Sequence, residues 1–481
     1  MVAAWVMEET KTVDLKDRRL NHRLREVLSQ LGEHPTASIP GACGGHAEMM
    51  GAYRLFANEK ATFEQVLAPH TEATRQRLAQ QAVALLVQDT TEADLTRPSQ
   101  QVEGAGPLDG GPRRGALLHV LHAFTPDGTP WGTLHARVWV RDEEVGCAAQ
   151  SRAQRAATAI EQKESYRWVD TLRLATEEGQ RCPATQRICV ADSEGDIYEL
   201  LVQATAEPRR VDWIVRACQN RAVQGENGQP TAERHVREYV LGRPVLFTHT
   251  IQVRGRKAKV PCETRGRRQP RESREAQVET RAAQVRLRPP WRAGRQLVEV
   301  TVHAVLVREV KPPADDEPVE WLLLTRLPVG KAEQVRQVIH YYGVRWTIEI
   351  FFRTLKSGCR VEERRFEHVD RWLSCLAVYL IVAWRTLYIC RLGRSCPDIS
   401  CEAVFEPAEW KSVWQVTDRS APPPRAPRLG EMVRRVGQLG GYVTQRHREP
   451  PGPQTLWIGL QRMHDFALCW TLFGPAARNR P

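Results

Sequence analysis

Apolar and polar positions change their period along this chain, and the changes mark its elements. In "DLKDRRLNHRLREVLSQLGEHP" the residues Leu20, Leu24, Val27, Leu28 and Leu31 recur at helical spacing, and Gly32 and Pro35 close the predicted helix. Residues 1 to about 66 read as helical. Short apolar runs then predict buried strands at "VALLVQD" (Val83–Asp89), "RICVAD" (Arg187–Asp192) and "VDWIVRA" (Val211–Ala217). Between the first two, "ALLHVLHAF" and "WGTLHARVWV" flank the turn "TPDGTP" and predict a hairpin. Helical stretches are predicted at about 150–178 and through "GDIYELLVQA". Three strands, helix, strand, helix, strand is the order of a ribonuclease-H-like core, so the expected class is α/β with a mixed sheet.

From about 220 to 320, Val-rich alternation between Pro, Gly and Arg loops predicts a β-rich insertion, including "QLVEVTVHAVLVREV" and "EWLLLTRL". Beyond 371 the pattern is helical again, broken by the Pro-rich "SAPPPRAPRLG" (Ser420–Gly430). The expected divisions are a helical N-terminal domain at 1–66, a catalytic domain at 67–370 and a helical C-terminal domain at 371–481. The run "LSCLAVYLIVAWRTLYIC" (Leu373–Cys390) has the length of a membrane span, but Arg385 lies inside it and no second span accompanies it. A buried or interface helix is expected.

Charge narrows the partners. The net charge is +12, and between Arg254 and Arg295 stand 14 Lys or Arg against 4 Glu, a surplus of ten. A polyanion is the natural counterpart of such a block. The 12 cysteines include no CxxC pair, which argues against a zinc site or disulfide framework and for a reducing cytoplasm. The first residues lack the basic-then-apolar form of a signal peptide.

Three carboxylates stand out. Asp89 closes the first predicted strand and Asp192 the fourth, and in open α/β sheets functional side chains gather at strand carboxyl ends. Each also has an ordinary explanation, since Asp forms turns and caps helices. The third is Glu349, in "YYGVRWTIEIFFRTLKSGC" (Tyr341–Cys359). On an ideal helix Tyr342, Arg345, Glu349 and Lys356 fall within roughly 60° of one another. Val344, Ile348, Phe351 and Leu355 form a separate apolar stripe, and Gly358 is a candidate helix end. A carboxylate set from two strands and a helix suits Mg²⁺, which prefers oxygen ligands and substrate phosphates. On the wheel alone, a solvated charged face is the better explanation.

The spacing Y-x2-R-x3-E-x6-K, met by Tyr342, Arg345, Glu349 and Lys356, resembles the signature of DDE transposases of the insertion-sequence-four family. The resemblance extends to "LKDRRLNHRL", "GAYRLF", "QDTT", "KES…W" (Lys163, Glu164, Ser165, Trp168), "ADSEGDIY", "IVRACQNR", "EWLLLTRLPV", "LGGY" and "LWIGLQRMHDF", and so spans nearly the whole chain. It implies that Asp89, Asp192 and Glu349 are the catalytic, metal-binding triad, with Mg²⁺ as cofactor and Mn²⁺ also accepted. Tyr342, Arg345, Lys356 and Arg216 match DNA-phosphate contacts, and Trp321 matches the residue that stacks on a flipped base. Trp346 adjoins the signature and is a further DNA-contact candidate. The implied protein is a cytoplasmic, nucleoid-associated bacterial homodimer that binds double-stranded transposon ends and target DNA, and cuts and pastes through hairpins. Two departures from the transposon-five member of that family are Ser193 in place of Arg and Ile350 in place of Glu. The alternatives are a domesticated DNA-binding or bridging protein without catalysis, and a nuclease without strand transfer.

Overall fold

The computed structural model describes residues 2–142, 158–206, 211–224, 234–255, 270–292, 294–314, 316–443 and 449–474. Cys147, Cys262, the start of the helix expected from about 150, and the part of the basic block at 256–269 lie outside the described residues. The ten described cysteines are free.

Among the described residues ten strands form one mixed sheet: β1 (Val83–Asp94), β2 (Gly106–Pro107), β3 (Arg114–Phe124), β4 (Pro130–Trp139), β5 (Gln186–Ala191), β6 (Asp212–Arg216), β7 (Phe247–Val253), β8 (Arg274–Leu287), β9 (Val300–Glu309) and β10 (Glu320–Thr325). Along the sheet the order is β2-β3-β1-β5-β6-β10-β9-β8-β7, with β4 on the outer edge of β3. The pairs β1–β5 and β5–β6 are parallel, whereas β3, β4 and β10 join antiparallel. The insertion strands are thus no separate layer. They continue the central sheet through β10, a continuation that local alternation does not encode.

The central strands are buried on both faces, which is why they read as unbroken apolar runs. Side chains alternate between two cores. Leu85, Val87, Ile188, Val190, Ile214 and Leu323 belong to one; Leu86, Cys189, Ala191, Trp213, Val215 and Leu324 belong to the other. The first core is covered by the helices Ala332–Val344, Trp346–Arg353 and Val369–Ser395 and by the N-terminal helices. The second is covered by the helices Tyr166–Arg181 and Tyr198–Thr205. The long Val369–Ser395 helix is apolar enough to cross a membrane, yet 83% of its most apolar window is buried inside the protein. Its Arg385 donates to the Val404 carbonyl at 2.6 Å, so the charge is accommodated within the fold.

Two expectations need correction. Asp89 does not end β1, because the strand keeps its antiparallel pairing with β3 as far as Asp94, with Asp89 opposite Val120. Only the β5 side stops, at Val87. Gly358 is not a left-handed helix end; the left-handed residue is Arg360, at φ 50°. Gly358 lies in a single π turn (Thr354–Gly358), where a Cβ would come within 2.8 Å of the Trp457 ring.

Gly132 has a different necessity. Its φ is 137°, and a Cβ there would overlap Thr74 Oγ1 and crowd the His70 ring. Gly132→Ala is expected to cost about 2 kcal/mol through backbone strain and displaced packing. Urea unfolding checks it, and a cost below about 0.5 kcal/mol would show that β4 yields at this point.

Candidate active site

Register places the aspartates. Parallel pairing runs from Val83–Gln186 to Val87–Val190, and extending it two residues sets Asp89 level with Asp192. On the next strand Ala191 pairs with Val215, so Arg216 is level with Asp192. Arg216 in turn pairs with Leu323, and Trp321 stands two residues further out. Alternation then fixes the face. Asp89 follows Val87 by two, Asp192 follows Val190 by two and Arg216 follows Ile214 by two, so all three point to the side that the signature helix covers. Trp321 is half-buried against the same core.

The signature segment is not one ideal helix. One helix runs Ala332–Val344, Arg345 forms a turn, a second runs Trp346–Arg353, and the π turn follows. Tyr342 therefore lies on a helix that begins well upstream, and the wheel that aligned Lys356 with Glu349 does not hold. Arg345 is nearly fully buried; its guanidinium donates to Glu349 Oε1 at 2.8 Å and to Asp89 Oδ2 at 3.4 Å, and lies over the Trp346 ring at 4.5 Å. Tyr342 is buried, 6.3 Å from the Trp321 ring, with the Arg345 guanidinium 5.9 Å from its own ring. Burial pushes its pKa up, against the pull of the Arg345 and Arg216 charges. Trp346 is 43% exposed beside it. Lys356 turns away from Glu349 and pairs with Glu362 at 3.2 Å.

Electrostatics single out Asp89. Burial, then the Asp192 charge and more weakly that of Glu349, push its pKa up to about 7, while Arg345 and the Thr90 N–H pull the other way. Two carboxylates whose charges oppose each other form a donor set for a hard divalent cation. Glu349 does not complete it here: among the described residues no three His, Cys, Asp or Glu side chains stand close enough to hold an ion. The donor chemistry fits: the Asp192 charge acts on Asp89, and the Glu349 carboxylate is turned to Arg345.

Three family descriptions match the chain: transposase DNA-binding at residues 2–61, transposase DDE domain at 168–381 and transposase Tn5 dimerisation domain at 381–470. All three are transposase domains. The DDE match takes in Asp192, Arg216, Trp321 and the whole signature, while Asp89 lies upstream of it and is placed by register alone. Among solved structures, a piggyBac transposase synaptic complex with hairpin DNA is similar at 10% identity and a TM-score of 0.32. The match covers 69% of this chain but only 52% of that one, so the chain spans about half its length.

Sequence reasoning passed over two residues. Glu362 holds Lys356 and also accepts the Asp94 N–H at 2.9 Å. Arg167 sits inside the "KES…W" motif, and its partners Thr90 and Glu194 are 77 and 27 residues away. No local pattern signals either contact.

Proposed function

We propose that the chain is a cut-and-paste DNA transposase of the insertion-sequence-four type, on a ribonuclease-H-like core. The strand order β4-β3-β1-β5-β6, with β1, β5 and β6 mutually parallel, supports the core assignment. What carries the functional reading is the shared level of Asp89, Asp192 and Arg216 on the face covered by the signature helix. Residues 1–66 would grip the transposon end, 67–370 perform the chemistry and 371–481 pair two chains. The exposed Leu468 and Leu472, 61% and 57% accessible, support a homodimer contact on the last helix. The setting that suits this activity is the bacterial nucleoid.

Asp89, Asp192 and Glu349 would hold Mg²⁺, or Mn²⁺, which when bound activates the attacking oxygen and stabilises the departing one. Arg345 would leave its carboxylate partners for the scissile phosphate, for which its fork is suited. Arg216 and Lys356 would hold flanking phosphates as fixed charges. Trp321, with Trp346 near it, offers an aromatic surface to a base extruded at the cleavage point. In each step an oxygen nucleophile displaces an oxygen in line at phosphorus. Water frees a 3′-OH, that 3′-OH closes a hairpin on the opposite strand, water reopens it, and the 3′-OH attacks target DNA.

The deciding experiment uses duplexes carrying the inverted repeats that flank the coding region, precut at the 3′ end, with a supercoiled plasmid. Joined product in Mg²⁺ is the expected outcome. Free ends without joining would leave a nuclease, and binding without cleavage a bridging protein.

A further inference from the structure

We propose that Arg167 is a positioning residue that sets the two active-site aspartates relative to each other from the opposite face of the sheet. The proposal rests on reading Asp89 and Asp192 as the metal-holding pair. Each aspartate is steadied by a backbone N–H close after it. Thr90 N–H donates to Asp89 Oδ1 at 2.8 Å, and Glu194 N–H donates to Asp192 Oδ1 at 2.8 Å. The side chains of those same two residues meet on one guanidinium: Arg167 Nε donates to Thr90 Oγ1 at 2.9 Å, and Nη2 to Glu194 Oε2 at 2.8 Å. Arg167 Nη1 anchors the fork to the Glu164 carbonyl at 2.9 Å, and the Trp139 and Trp168 rings flank it at 5.5 and 5.7 Å.

Thr90 is held further. Its oxygen accepts from Arg167, so its hydroxyl hydrogen is free to donate to His119 Nδ1 at 2.8 Å. His119 Nε2 then carries the proton and donates to Gln88 Oε1 at 3.3 Å. Gln88 and Thr90 flank Asp89 in β1, and alternation sends their side chains to the face opposite its own. The strand is thus clamped on both sides of Asp89, and Glu194 ties the clamp to the exit of β5. A planar fork can reach Thr90, Glu194 and the Glu164 carbonyl together; an ammonium cannot do so with fixed geometry.

The test measures Mn²⁺ affinity of the full chain by electron paramagnetic resonance, with circular dichroism as the fold control. Arg167→Lys keeps the charge and removes the fork, and Thr90→Val removes the anchoring hydroxyl without changing charge. Each is expected to weaken Mn²⁺ binding about tenfold, and the double variant to lose little more than either single, because both break one clamp. Arg167→Ala is expected to weaken binding as well, whereas simple electrostatics gives the opposite sign, since deleting a cation favours a nearby metal ion. In DNA assays the cleavage rate at saturating ends should fall with end affinity unchanged. Wild-type Mn²⁺ affinity in folded Arg167→Lys and Thr90→Val would overturn the proposal. Wild-type affinity in Asp89→Asn and Asp192→Asn would instead remove the metal reading beneath it.

Discussion

Asp89→Asn is expected to abolish end cleavage and at the same time to stabilise the fold. The loss follows from chemistry: the amide cannot carry the charge that balances a divalent cation, and removing one member of a catalytic unit costs at least about a thousandfold in rate. The gain follows from burial. The Asp89 carboxyl is largely enclosed, with its pKa pushed up to about 7 by burial and then by the Asp192 charge. In the unfolded chain the same carboxyl ionises near pH 3.8. Between those values the folded state holds the proton more tightly, so stability falls as pH rises through the window and stays low above it. Asn removes the ionisation and keeps an oxygen for the Thr90 N–H. The shift sets a ceiling of about 4 kcal/mol, and losing the Arg345 contact returns part of it, leaving a gain of about 1–2 kcal/mol at pH 7.5. Urea unfolding of both proteins from pH 4 to pH 8 reads the difference, which should grow to about pH 7 and then level off. A variant that cleaves at the wild-type rate would take Asp89 out of the catalytic set. A flat pH difference would show that water reaches the carboxyl freely.

This pairing of lost activity with gained stability is what a buried functional carboxylate should produce, and the sequence carried much of it. Val83–Val87 and Ile188–Ala191 are apolar on both faces, so both strands and the Asp after each were legible, and with them the expectation that the strands are neighbours. That Asp89 lies within β1 was not legible, because the pairing of Thr90–Asp94 with β3 depends on residues more than 20 positions away. The signature spacing was legible as a helix, but not the turn at Arg345 or the π turn at Thr354–Gly358. The π turn is closed by its own Cys359 N–H to Thr354 carbonyl bond, and the long-range contact at it is Gly358 against the Trp457 ring, about a hundred residues away. For the same reason Lys356 was expected beside Glu349 and is found on Glu362.

How the N-terminal segment is held to this sheet leads to the largest stability effect expected. Glu9 is almost fully buried, accepts from His70 Nδ1 at 2.7 Å, and is forked by Arg77, whose guanidinium lies 4.5 Å from the centre of the Trp384 ring. His70 Nε2 accepts the Thr133 N–H at 3.1 Å, so the proton sits on Nδ1 and points at Glu9. Burial pushes the His70 pKa down despite Glu9, and the ring is neutral at neutral pH. Burial also opposes the Glu9 charge, but the hydrogen bonds and charges of His70 and Arg77 prevail and hold its pKa below the usual range. Glu9→Ala leaves the buried His70 Nδ1–H without its acceptor and strips the half-buried Arg77 of its ion-pair partner, and the expected cost is about 3–4 kcal/mol. Glu9→Gln should cost nearly as much, because its amide nitrogen presents a donor where both neighbours already donate. In the wild type, stability should decline as pH falls below about 6.5, since the unfolded chain then takes up a proton that folded His70 resists. Urea unfolding at pH 7.5 and pH 5.5 checks both effects. A near-neutral Glu9→Ala would mean that water replaces the carboxylate, and that other contacts, such as Arg364 donating to the Pro35 carbonyl at 2.8 Å, suffice to hold the N-terminal helices.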